Sequence, residues 1–261
     1  WRPQIYAAGS PVPSEVVAAL DRELGHWGLH SVPKFGKNVK ISPMSFRRYA
    51  RVAVRIAQDL RDRVWLDLAA AVATDAVVDE NGNVGRSLLQ MVNGGKRQNF
   101  IRIMRELVAQ CTPEHIRSTL FGQWQYGEPM VNLNLRWDPR DDRRHAYRWD
   151  DPSDASTRKS GCQLGANRLA IEALPLFPVC AIHRRARTVG FAPDGERFIW
   201  PIWIHPASLE VVRGLLTLEG LHREKIDRRG LKLVGIAEIF CARRFAVDKF
   251  QTASFSTAES L

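Results

Sequence analysis

The sequence predicts an α+β protein in which a helical N-terminal half packs against a mixed or antiparallel sheet built from the C-terminal half. Three observations carry this. Apolar residues recur at helical period through most of the chain up to Phe121. At Val131, Leu133 and Leu135 they alternate with Asn132, Asn134 and Arg136, the period of a half-buried strand. Short β-rich segments then follow at 179–183, 198–204 and 234–245.

Pro3, Pro11, Pro13 and Pro33 punctuate the first forty residues, and Ser14 caps a helix expected over 15–24. Ser42 and Pro43 start a second helix. Phe46, Tyr49, Ala50, Ala53, Ile56, Ala57, Leu60 and Val64 share an arc of about 120° on it, which belongs in a core. Asn81-Gly82 and Asn93-Gly94-Gly95 are turn signals, with a segment of undecided type between them over 84–92. A third helix buries Phe100, Ile101, Ile103, Met104, Leu107 and Val108 and ends at Thr112-Pro113; Pro113 opens a further helical turn toward Phe121. Helices are also expected over 165–174 and 208–216, and residues 252–261 read as a frayed polar tail. The natural division lies between a mainly helical 1–129 and a sheet-rich 130–261, or the whole is one compact domain lacking its native N-terminus, since the chain opens on Trp1.

Composition is that of an ordinary globular protein, with 45% hydrophobic and 25% charged residues in a chain of 261. The balance of charge is unusual. Lys and Arg number 38 against 28 Asp and Glu, a formal net charge of +10, so the average surface potential favours a polyanion. Nucleic acid is the default candidate. The apolar stretch over 64–78 is broken by Asp67 and Asp75, so no run of about 20 uncharged residues exists to span a bilayer. With no apolar leader, a cytoplasmic protein is expected. Cys111, Cys162, Cys180 and Cys241 form no CxxC pair and are expected to be buried, reduced thiols.

On the second helix, Arg47, Arg48, Arg51 and Arg55 gather within about 100° opposite the apolar arc, a row that can track phosphates or simply be solvated. The stretch 137–149 is the most unusual. Arg143, Arg144 and Arg148 are candidate phosphate contacts, and Trp137, Tyr147 and Trp149 are candidate stacking platforms. The same stretch admits two other readings. Asp138, Asp141, Asp142 and His145 could ligate a divalent cation and make the protein a metal-dependent nuclease, or its acids and arginines could pair with one another around packed tryptophans. Lys96, Arg97 and Gln98 follow a Gly-Gly turn and precede a helix, where backbone N–H groups attract phosphate. The Walker signature is incomplete there, with Gln90 in place of its first glycine and Arg97 in place of Ser or Thr. Arg168, Arg184 and Arg185 complete the candidate contact set. His26 and His30 share zinc-like spacing but enclose Gly28 and no HExxH glutamate, so no metal site is expected, and neither is a cofactor.

Several phrases of the sequence resemble the subtype-specific proteins of type I-G (I-U) CRISPR systems, in the group of large-subunit or helicase-nuclease-extension proteins. They are Asn93-Gly94-Gly95-Lys96-Arg97-Gln98-Asn99-Phe100, Leu135-Arg136-Trp137-Asp138-Pro139 with Asp142-Arg143-Arg144, Asp151-Pro152-Ser153, Gly165-Ala166-Asn167-Arg168-Leu169-Ala170 through Leu174-Pro175-Leu176-Phe177-Pro178, and Trp200-Pro201-Ile202-Trp203. None belongs to a helicase or nuclease active site. The resemblance implies a non-enzymatic role in crRNA-guided antiviral defence, with DNA or crRNA and other effector subunits or the recruited helicase-nuclease as partners. A scaffold that docks an acidic protein partner is the remaining alternative.

Overall fold

A computed structural model describes residues 9–31, 38–60, 63–92, 99–129, 135–139, 161–223, 225–246 and 253–261. It is α+β, with helices mostly in the N-terminal half and antiparallel sheets mostly in the C-terminal half. The helices are α1 (Pro13–Ser31), α2 (Pro43–Leu60), α3 (Val64–Val72), α4 (Phe100–Gln110), α5 (Pro113–Phe121), α6 (Leu164–Ala173), α7 (Leu209–Leu216) and α8 (Arg228–Leu233). Among the described residues, no helix is long and apolar enough to cross a membrane.

The apolar run over 64–78 divides at Ala73. Its first part is α3, and without any glycine or proline between them the chain turns directly into the strand β1 (Ala73–Val78). An Asp79 turn returns it to β2 (Val84–Arg86). The Asp79 carboxylate accepts from the Asn81 and Asn83 N–H groups at 2.9 and 2.8 Å, and Gly82 supplies the positive φ of 77°.

Two short strands, β3 (Glu128–Pro129) and β4 (Gly161–Cys162), pair with each other ahead of α6. α6 then crosses α5 at very close range through Gly165. A Cβ there would lie 2.2 Å from the His115 carbonyl oxygen and 2.4 Å from Thr119 Oγ1. Because the first obstacle is backbone, the helices must separate to admit a methyl group. Gly165→Ala is expected to lower stability by ~1–3 kcal/mol, seen as an earlier midpoint in urea unfolding.

After α6 come the hairpin β5 (Val179–Ile182) and β6 (Arg185–Thr188), then β7 (Arg197–Trp203), β8 (Ile236–Ala246), β9 (Ala253–Phe255) and β10 (Glu259–Ser260). β7 and β8 pair from Arg197↔Arg243 to Trp203↔Ile236. The far edge of β8 carries both final strands, with Arg244 opposite Phe255 and Cys241 opposite Glu259. The expected frayed tail is therefore incorrect. Ala253, Ser254 and Phe255 are all buried, and the Ala253 N–H donates to the Met91 carbonyl at 2.8 Å. Small polar residues concealed a segment whose order comes from a distant strand.

One apolar cluster draws on both stretches of the chain, from Phe46, Val72 and Met91 through Phe100 and Leu107 to Ile171 and Phe255. A smaller one lies where Ile199, Ile236 and Ile239 of the sheet meet Leu221 and Leu231. The thiols divide differently from expectation: Cys162 and Cys241 are buried and Cys111 is partly so, but Cys180 is exposed on β5 because its side chain falls on the outward face of the hairpin. The strand expected around Val131 and Leu133 lies outside the described residues, although Leu135 beside it is fully buried.

Candidate nucleic-acid interface

α2 is amphipathic as its periodicity requires. Phe46 and Ala53 are buried against the rest of the protein, and Arg47, Arg48, Arg51 and Arg55 are all exposed on the opposite side. The helix packs on α3 and β1. The Arg47 guanidinium reaches β1, where its Nε donates to Asp75 Oδ2 at 2.5 Å. Among the described residues, no acid pairs with Arg48, Arg51 or Arg55. Elsewhere on the surface Arg63, Arg117, Arg197, Arg223 and Arg228 each sit against a carboxylate, whereas α2 carries three exposed arginines without such a partner among the described residues.

Two shallow grooves flank this row. One, of about 470 Å³, runs along Arg47, Arg51, Val54, Arg55 and Gln58. The other, of about 410 Å³, lies between Arg48 and Val52 of α2 and Trp65 of α3, with Tyr49 at its inner wall. Burial pushes the Tyr49 phenol upward, so it stays protonated across the physiological range. Trp65 was not among the sequence candidates; it follows the end of α2 in the chain and nothing in local periodicity places it beside Arg48.

The other candidates separate clearly. Arg184 and Arg185 are exposed at the tip of the β5–β6 hairpin. Arg168 is buried: it pairs with Glu172 one turn along α6 and donates to the Leu24 carbonyl of α1 at 3.3 Å. Burial draws its guanidinium down to about 10. It ties α6 to α1 and does not face solvent, which corrects its assignment as a phosphate contact. Arg244 is likewise turned inward, its Nε donating to the Leu88 carbonyl at 3.1 Å.

Trp137 is half-buried. Its indole packs edge-on against Phe100, with ring centroids 6.2 Å apart, and its Nε1–H donates to the Leu89 carbonyl at 2.7 Å. This is the geometry of an anchor, though one side of the ring also lines an apolar groove of about 560 Å³ shared with Phe177, Phe198, Trp200 and Trp203. Asp138 accepts from the Tyr126 hydroxyl at 2.7 Å. The other proposed metal ligands, Asp141, Asp142 and His145, lie outside the described residues, as do Lys96, Arg97, Gln98, Arg143, Arg144, Tyr147, Arg148 and Trp149. Among the described residues no group of three or more His, Cys, Asp or Glu could hold a metal ion. At the start of α4, Asn38 Oδ1 already takes the Phe100 N–H at 2.7 Å, which removes one of the donors a bound phosphate would use there.

No protein-family model, curated protein or solved structure matches the chain.

Proposed function

We propose that the chain is a non-catalytic nucleic-acid-binding subunit or accessory protein of a crRNA-guided DNA-surveillance complex in the cytoplasm, with α2 as its main phosphate-tracking surface. The observation that carries this is the row of exposed guanidiniums on α2, of which Arg48, Arg51 and Arg55 have no acidic partner among the described residues. Arginines held along a rigid helix, with open grooves on both sides, suit a charged backbone passing over them. The net charge of +10 acts in the same direction at longer range. Membership of a CRISPR complex rests on the resemblance of the separate phrases between about residues 90 and 205 to type I-G proteins.

The nucleic-acid reading is tested by fluorescence anisotropy of the unmodified chain with labelled single-stranded DNA, duplex DNA and crRNA-like RNA over a salt series. Binding is expected to weaken steeply as salt rises, with a log–log slope of about 0.9 per phosphate neutralised on a DNA duplex. No measurable binding to any of the three at low salt overturns it. Membership of the complex is tested by purification from cells carrying the flanking genes: crRNA and effector subunits are expected to co-purify, and their absence removes that part.

A further inference from the structure

The β5–β6 hairpin combines several unusual properties. Its strands pair in strict register, Val179↔Thr188 to Ile182↔Arg185, leaving only His183 and Arg184 to turn the corner. Both have positive φ, 48° and 62°. A two-residue loop of this kind normally carries Asn-Gly, because glycine adopts positive φ freely and asparagine tolerates it better than longer side chains do. Here a histidine and an arginine occupy it instead. Ile182, His183, Arg184 and Arg185 are all exposed, and no acidic residue occurs over 173–193.

The base of the hairpin is fixed. Thr188 Oγ1 accepts from the Leu88 N–H at 2.9 Å, and Ala186 packs so closely on β2 that a Cβ added at Gly85 would lie 2.8 Å from its own. By alternation, Val179, Ala181, Ala186 and Thr188 share the inner face, and Cys180, Ile182, Arg185 and Arg187 the outer one. Ala186, opposite Ala181, still packs on β2, so the Ile182↔Arg185 pair and the two corner residues stand clear of it, roughly 7 Å of backbone at about 3.3 Å per residue. α2 and this hairpin both pack on β1.

We propose that the hairpin is a probe that enters the major groove of B-form DNA, with Arg184 and Arg185 as its contacts. This rests on the nucleic-acid reading above and names its ligand as duplex DNA. The B-form major groove is about 12 Å wide and about 8.5 Å deep and admits a two-stranded ribbon. The corner enters the groove and the side chains of Arg184 and Arg185, carried beyond the backbone, span the remaining depth. The major groove of an RNA duplex is too narrow to admit it, and a single strand offers no groove. An arginine in the strained corner places a guanidinium at the furthest point of the ribbon, where it meets either a phosphate or the acceptor edge of guanine.

The test uses the full chain with Arg184→Gly and Arg185→Ala combined. Glycine adopts the left-handed corner without strain, so the hairpin is retained and the melting temperature is expected to hold or rise. Affinity for duplex DNA is expected to fall roughly tenfold, with the salt slope shallower by about 2 where both arginines meet phosphates and by about 1 where Arg184 reads a guanine edge. Affinity for a single strand of the same sequence and for an RNA duplex is expected to stay unchanged. Duplex affinity within twofold of the parent, or an equal loss for all three ligands, overturns the hairpin proposal while leaving the α2 interface standing. An unmodified chain that binds none of the three at low salt overturns both.

Discussion

Exchanging Arg48, Arg51 and Arg55 together for alanine is expected to leave the protein folded and to remove most of its affinity for nucleic acid. The three side chains are exposed and make no ion pair among the described residues, and alanine is the strongest helix former, so α2 itself persists. Every phosphate that is no longer neutralised makes the log–log salt slope on duplex DNA shallower by about 0.9, so the triple variant is expected to be shallower by about 2–3, with affinity down roughly ten- to a hundredfold at moderate salt. Anisotropy titrations across a salt series measure both quantities, and an unchanged circular dichroism spectrum separates a weakened interface from an unfolded protein. An unaltered slope would remove α2 from the interface. Arg47 serves as an internal comparison: with Asp75 against it, Arg47→Ala alone is expected to change binding less than Arg51→Ala.

The largest expected effect on stability belongs to Phe255→Ala. Phe255 is 6% exposed and its ring lies 5.5 Å from Phe198 and 6.1 Å from Phe191, inside the main cluster. Truncating a buried phenylalanine costs about 3–5 kcal/mol, a fall in melting temperature on the order of 10 °C for a chain of this size. Scanning calorimetry measures it directly. A tail frayed into solvent would give no change, so this one substitution distinguishes a buried strand from an appendage.

The legible parts of the fold were those determined locally. α2 and α4 could be read from apolar spacing because a helix buries one face regardless of what covers it, and the four arginines of α2 were readable for the same reason. The switch from α3 to β1 carries no glycine or proline, so the apolar run over 64–78 gave no punctuation at Ala73. β9 was invisible for a different reason. Ala253 and Ser254 have weak strand preferences of their own, and the burial of the strand is decided by pairing with β8. Arg168 had a readable signal, since Glu172 stands four residues on in the same helix. The hairpin tip lacked one, because His183-Arg184 replaces the Asn-Gly that normally announces such a turn.

The placement of β9 also bears on how the chain reaches its native state. The bond from Ala253 to Met91 joins the last strands to a loop from the first half of the chain. Pairings between residues so far apart in sequence close late and slow the search for the folded state. During synthesis, the faces of Met91, Phe191 and Phe198 have to wait uncovered until residue 255 has left the ribosome. That interval is when a polypeptide of this kind is most exposed to aggregation, and it makes the folding yield, in addition to the equilibrium stability, sensitive to changes near position 255.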